Sequence, residues 1–290
     1  MQVEDELWPR AANWLQAGAG DCDIAVFGVP AHLTSISPSQ ANQTPQAVRA
    51  ALMRYSLQSA TGNLARLRAL DFGDVVEPDS PEGETRTKEL TENAVNHSKL
   101  AIALGGDNSI TYAVGSGALS SSDALITLDA HHDIRTGISN GSPVRRLIEE
   151  FGLNGKNIIQ IGINDFSNSP EYSKKAKDYG ITVITRDEVA KLGVEACVAK
   201  ALGSVNAERI HIDFDVDVCD RSFVPATPAS APGGISAYEL RLFARLLCRD
   251  SRVRSIDITE IDSSHDAEDQ RTVRLAALLI LEAAAGVSQR

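Results

Sequence analysis

Short apolar runs rich in β-branched residues recur along the whole chain, each closed by Gly, Asp or Pro. They lie at Ile24–Val29, Ala69–Phe72, Leu100–Leu104, Ala124–Leu128, Asn157–Ile161, Ile181–Ile184, Ile210–Phe214 and Val253–Ile258. Runs this short, with little polar alternation, are the pattern of strands buried on both faces. Between several of them apolar residues return three and four apart, as in Pro45–Tyr55, Ala237–Cys248 and Asp269–Ala285, which predicts amphipathic helices. Strand alternating with helix predicts an α/β fold in which a parallel sheet is covered on both sides.

No shift of composition, long Gly/Ser/Pro linker or internal repeat divides the chain. The loosest stretches, Ala31–Thr44 and Glu77–Arg86, read as surface loops, and one domain over residues 1–290 is expected. Parallel α/β sheets bind ligands at the carboxyl ends of their strands, so the residues just after each run matter most.

Those residues are unusually acidic. The run at Leu128 is followed by Asp129-Ala130-His131-His132-Asp133, and the run from Ile210 passes into Asp213-Phe214-Asp215-Val216-Asp217 and Asp220. Gly105-Gly106-Asp107-Asn108-Ser109 and Asp257-Ile258-Thr259-Glu260 close two more. Alternate residues of an extended segment point the same way, so Asp129, His131 and Asp133 can converge, as can Asp215 and Asp217. Gathered carboxylates repel one another and resist ionisation unless a cation neutralises them. Carboxylate and imidazole without thiolate suit Mn²⁺, Fe²⁺ or Zn²⁺. His132 is out of phase with His131 and is expected to pack or meet solvent. His32, His97, His211 and His265 have no ligand spacing and read as structural or surface residues.

Charge narrows the partners. Twenty-eight Lys and Arg face 39 Asp and Glu, a formal net charge of −11, which argues against a nucleic-acid or anionic-membrane surface. The cysteines Cys22, Cys197, Cys219 and Cys248 lie far apart with no C-x-x-C pair, so they fit a reducing compartment rather than a disulfide framework. Cys219 sits within the acidic block but out of phase with Asp215 and Asp217, and reads as packing. Met1–Arg10 lacks the apolar core of an export signal, and the apolar stretch Leu275–Leu281 is stopped by Glu282, far short of a span. A cytoplasmic protein is expected.

Taken in order, the motifs resemble the manganese ureohydrolases, the superfamily of arginase, agmatinase and formimidoylglutamase, from about Ile24 to Ala285. Phe27-Gly28-Val29-Pro30, Thr44-Pro45-Gln46-Ala47-Val48-Arg49, Asp71-Phe72-Gly73-Asp74 and Gly105-Gly106-Asp107-Asn108-Ser109 are similar to family segments. So are Asp129 to Asp133, and Asp215 to Asp220 with Pro225-Ala226-Thr227 and Gly233-Gly234 behind it. The resemblance implies a three-layer α/β/α fold with an eight-stranded parallel sheet and a cofactor of two Mn²⁺ per chain. It implies Asp129, His131, Asp133, Asp215 and Asp217 as metal ligands, with Asp129 and Asp215 shared between the ions. A metal-activated hydroxide would attack the trigonal carbon of an amidinium or guanidinium, with Asp133 and Glu260 as catalytic carboxylates and Glu260 also holding the substrate N–H groups. Trimers or hexamers are implied as well.

Two departures stand out. Asn108 occupies a position where most members have a metal-binding histidine, so the site it shares with Asp133 is expected to bind its ion weakly or to stay empty. The stretch Ser139-Asn140-Gly141-Ser142-Pro143 lacks the family's His-Gly. Asp133-Ile134-Arg135, Asn140 to Arg145, Asp220-Arg221 and Thr259-Glu260-Ile261-Asp262 are similar to the formimidoylglutamase branch. That branch implies hydrolysis of N-formimidoyl-L-glutamate to L-glutamate and formamide, with Arg135, Asn140, Arg145 and Glu260 binding a small amidine. The alternatives are an agmatinase-like or guanidino-acid ureohydrolase that releases urea, and a non-catalytic binding homologue with a degraded metal site.

Overall fold

The computed structural model describes residues 5 and 7–290, so the N-terminal stretch read for export lies partly outside it. All eight apolar runs are strands, and a ninth precedes them. In chain order they are β1 (Leu15–Ala17), β2 (Ile24–Val29), β3 (Ala69–Asp74), β4 (Leu100–Gly105), β5 (Ala124–Leu128), β6 (Ile158–Ile163), β7 (Thr182–Thr185), β8 (Ile210–Asp215) and β9 (Val253–Thr259). They form one parallel sheet in the order β1-β3-β2-β4-β9-β8-β5-β6-β7.

The expectation of eight strands is therefore corrected to nine. Strand β1 is three residues long, pairs only with β3 through Leu15↔Ala69 to Ala17↔Asp71, and is half-buried to exposed. An edge strand covered on neither face needs no apolar run, so hydropathy does not reveal it.

The helices are α1 (Thr44–Ala51), α2 (Pro81–His97), α3 (Ile110–Ala118), α4 (Pro143–Arg146), α5 (Pro170–Tyr179), α6 (Arg186–Leu192), α7 (Val194–Ser204), α8 (Ala237–Leu247) and α9 (Arg271–Val287). Alternate strand residues feed two separate cores. Ile24, Val26, Ile102, Ile126, Ile212 and Phe214 pack under α1 and α6 to α9. Ala25, Phe27, Ala101, Ala103 and Leu125 pack under α2 to α5. Each face buries its own helix layer, which is the three-layer arrangement.

Local chemistry explains where the helices begin. Ser236 and Glu239 form a reciprocal cap on α8, as do Thr185 and Glu188 on α6. Helix α9 starts at Arg271 rather than Asp269 because Gln270 adopts a left-handed φ of 54°. The Asp266 carboxylate accepts the Val273 N–H at 3.0 Å and the Thr272 hydroxyl at 2.8 Å. Glu282, which interrupts the apolar stretch of α9, is buried and accepts from Arg241 at 2.7 Å and Arg245 at 2.6 Å, joining α9 to α8. Among the described residues no helix is long and apolar enough to cross a membrane.

The consequence for chemistry lies in the strand order. The four runs with acidic or amide-bearing ends are β4, β9, β8 and β5, and these are neighbours at the centre of the sheet. From β4 the chain crosses through α3 to β5, and β9 and β8 later fill the gap. A crevice at the carboxyl ends of such strands is where open α/β sheets bind ligands.

Candidate metal centre and active site

Residues from two of these strand ends, β5 and β8, meet in two groups of potential metal ligands. Asp129, His131 and Asp217 form one, and Asp129, Asp133 and Asp215 the other, with ligand atoms within 4.8 Å of one another in each. Asp129 belongs to both. The β5 end turns sharply: Asp129 accepts the His131 N–H at 2.6 Å, and Asp133 takes a left-handed φ of 52°. That conformation is costly for a residue with a Cβ, and here it aims a carboxylate inward. On β8, Asp215 accepts the Asp217 N–H at 2.8 Å, which curls the segment so that both carboxylates face the crevice. Asp217 reaches across to His131 Nδ1 at 2.8 Å and to the Ala130 N–H at 3.1 Å.

These groups are buried, and their electrostatics show it. Burial, reinforced by Asp133 and Asp217, pushes the Asp129 carboxyl well above the usual range. Burial together with Asp217 and Asp129 does the same to Asp215. Asp133 rises to about 6, chiefly through burial. Burial would also raise Asp217, but the His131 imidazolium and its hydrogen bond hold it low. Burial would lower His131, yet Asp217 lifts it to about 10. Four carboxylates with one imidazolium leave an excess of buried negative charge, and one oxygen, Asp129 Oδ2, has no hydrogen-bond partner. Such a set is stable as carboxylates only around cations. Hard oxygens and one imidazole without thiolate fit a pair of divalent ions such as Mn²⁺.

Glu260 follows β9 in a left-handed conformation with φ 61°. Its Oε1 accepts both the Asn108 N–H and Asn140 Nδ2 at 2.8 Å, which leaves Oε2 to the cavity. Burial, then the neighbouring Asp107 charge, raises it to about 8. The cavity, about 440 Å³, is lined by Asp133, Asp215, Asp217 and Glu260 at its base, with Arg135 and Asn140 on its walls.

Arg135 lines the cavity, and its guanidinium forms no ion pair or hydrogen bond with any described residue. Gly141 makes room for it, since a Cβ there would come within 2.8 Å of Arg135 Cδ. Arg145, expected to bind substrate, is placed differently. It does not line the cavity, and its guanidinium is spent on Arg135 O at 2.7 Å, Gly137 O at 2.5 Å and Glu149 at 2.9 Å. The reason is its position in the first turn of α4, directly behind the Arg135 loop, where backbone carbonyls are the nearest acceptors.

Asn108 lies beside Asp133 as expected, but its amide nitrogen donates to Asp133 while its oxygen faces away. His132 is buried and bonds Gln160 through Nδ1 at 2.6 Å, so it packs. Sequence reasoning missed Asn168, which accepts the His132 N–H at 2.9 Å, donates to Ala130 O at 3.0 Å and lines the cavity. A lone Asn in a loop carries no signal of its own. It also missed the role of His211, which bonds Ser255 at 2.8 Å and Asp257 at 3.3 Å within a buried polar file.

The comparisons with known proteins agree with this geometry. A profile described as the arginase family matches residues 22–286. A formimidoylglutamase of Halalkalibacterium halodurans is 36% identical over 277 residues, covering 89% of this chain and 85% of that protein. A formimidoylglutamase of Bacillus subtilis is 33% identical over 280 residues, covering 91% and 86%. The crystal structure of the formimidoylglutamase from Bacillus subtilis superposes with a TM-score of 0.92 at 30% identity, over 99% of this chain and 95% of that one. A match across nearly the whole length, with the acidic strand ends assembled into one crevice, leads to one conclusion: the chain belongs to the arginase family.

Proposed function

We propose that this arginase-family hydrolase cleaves the amidine C–N bond of N-formimidoyl-L-glutamate, giving L-glutamate and formamide. The observation that carries the reading is the polarity of the cavity, with clustered carboxylates at the base and the unpaired Arg135 guanidinium on the wall. The substrate is complementary, with a cationic amidinium at one end, the α-carboxylate beside it and the side-chain carboxylate at the other end. The formimidoylglutamases among the relatives support the same substrate.

Asp129, His131, Asp133, Asp215 and Asp217 would hold two Mn²⁺, with Asp129 common to both sites. When bound, the ions supply a water acidified to near neutrality and a Lewis acid for the developing charge. Glu260 does the orienting. Its Oε1 is held by Asn108 and Asn140, so Oε2 is free to accept an amidinium N–H in a charge-assisted bond. Burial and Asp107 raise the Glu260 carboxyl, and an adjacent cation favours its ionised form. Arg135 takes a carboxylate of the glutamate moiety in its planar fork. Arg145 keeps that guanidinium in place by pinning the carbonyls of Arg135 and Gly137. Asp133, a carboxylate once cations are bound, is the group assigned to take up a proton in the site and pass it to the leaving nitrogen.

The test is a substrate panel in Mn²⁺-supplemented buffer. Formimidoylglutamate is expected to give equal amounts of glutamate and formamide, while arginine, agmatine and guanidino acids give little urea. Urea from a guanidino compound with no formamide release would replace this reading by the ureohydrolase one. No turnover of any substrate with both ions bound would favour a binding homologue.

A further inference from the structure

Asn108 is held by two hydroxyls from different elements. Its Oδ1 accepts Thr111 Oγ1 at 2.7 Å, from the first turn of α3, and Thr259 Oγ1 at 3.0 Å, from the end of β9. Its Nδ2 donates to Asp133. Asn108, Thr111 and Thr259 are fully buried and do not line the cavity, so bulk water does not serve their polar atoms.

An amide presents an acceptor at one end and two donors at the other, whereas a hydroxyl both donates and accepts. The same two hydroxyls can therefore satisfy the Asn108 amide in either orientation, provided each hydroxyl proton has somewhere else to go. Thr259 has such an acceptor: its Oγ1 lies 3.3 Å from Asp213 Oδ1. Asp213 abuts Asp257, which His211 holds at 3.3 Å, and His211 in turn bonds Ser255 at 2.8 Å. This file runs down the sheet from the metal cradle on the face that packs under α3. In helices a threonine hydroxyl reaches a carbonyl one turn back, which offers Thr111 the same option.

We propose that Thr259, backed by Asp213, is a positioning residue that allows the Asn108 amide to turn end for end and present its carbonyl to a divalent ion held by Asp129 and Asp133. An NH₂ facing a divalent ion is repelled, and a carbonyl facing it is a neutral oxygen ligand. In the turned state Nδ2 donates to both hydroxyls, and Thr259 passes its own proton to Asp213 as a hydrogen bond. Asn108 thereby serves where a histidine otherwise would, and the hydroxyl pair sets the strength of that site. The proposal rests on the two-ion reading of the cradle and is independent of the substrate.

The experiment titrates the metal-stripped full-length chain with Mn²⁺ alone by calorimetry. Thr259→Val removes the hydroxyl at nearly constant volume and leaves one amide N–H unpartnered in the turned state. The affinity for the weaker ion is expected to fall about tenfold. Thr259→Ser restores the hydroxyl and is expected to bind within about threefold of the parent. In an Asn108→Ala background the Thr259→Val effect is expected to vanish, because Thr259 acts through the amide. Unchanged Mn²⁺ affinity in Thr259→Val, or a loss of equal size without the amide, would overturn the proposal. Should Thr259→Val not fold, Thr111→Val carries the same expectation and the same refutation from outside the sheet. Only metal binding is read, so a failure of formimidoylglutamate turnover leaves the result intact.

Discussion

Taking the metal-stripped protein from about pH 6.5 to about pH 8 is expected to destabilise it, by an amount that follows from Glu260. Its carboxyl is raised from 4.5 to about 8 by burial and by Asp107. A group raised on folding contributes stability that is complete below its unfolded pKa and is lost as pH climbs to the folded one. Across this window the folded carboxyl keeps its proton and the unfolded one has lost it. At roughly 1.36 kcal/mol per pH unit, a span of about 1.5 units costs about 2 kcal/mol. His131, lifted to about 10 by Asp217 against its burial, acts with the same sign, as do Asp129 and Asp215, raised chiefly by burial. These contributions are not added, because neighbouring sites titrate as a set. Carboxylates held low, such as Asp220 and Asp262, are ionised in both states here and contribute no slope. For a chain of this size about 2 kcal/mol corresponds to roughly 3 °C in Tm. Calorimetric melting at several pH values measures it, and Mn²⁺ should oppose the trend because its ligands must be deprotonated, so binding strengthens as pH rises. Glu260→Gln should remove about 2 kcal/mol of the pH dependence. A metal-stripped Tm that is flat or rising over this window, or an unaltered slope in Glu260→Gln, would refute the reasoning.

Arg135→Ala should raise KM for formimidoylglutamate about 10- to 100-fold through loss of a charge-assisted contact. Steady-state kinetics should show kcat nearly unchanged, and an equal fall in kcat would place Arg135 in the chemical step instead. Gly106→Ala puts a Cβ 2.1 Å from the Ala31 carbonyl and should cost about 1–3 kcal/mol in denaturant unfolding; an unchanged midpoint would show that this close approach relaxes freely. Glu282→Ala removes the buried acceptor of Arg241 and Arg245 and should destabilise by about 2 kcal/mol, since both arginines are partly exposed and recover water. Its kcat/KM should stay at the parent value, and a large fall would mean that the α8–α9 contact reaches the active site.

Much of the architecture was legible along the chain because its determinants are local. A strand buried on both faces must be apolar at every position, so β2, β4, β5, β6 and β8 announced themselves as runs. The supply of acids at their ends was legible too, but Asp129, His131 and Asp133 converge through a turn after β5 and not through the strand alternation expected. Where the determinant was not local, the chain was silent or misleading. The edge strand β1 has no apolar pattern, and Arg145 looked like a substrate ligand until the loop behind which it folds was in place. His211, read only as structural or surface, proves to be buried and held by Ser255 and Asp257 of β9.

The sequence by itself determined the elements, the layer class and the supply of hard ligands, because periodicity and strand-end chemistry are written over a few residues. Only the tertiary structure decided which ends become neighbours. Asn108 donates to Glu260 from 152 positions away, and Ala130 to Asp217 from 87. That pairing depends on β9 and β8 entering the sheet between β4 and β5, a long-range choice made by the burial of whole strands and helices. The orientation of the Asn108 amide depends on the same choice, because one of its two hydroxyl partners arrives with β9.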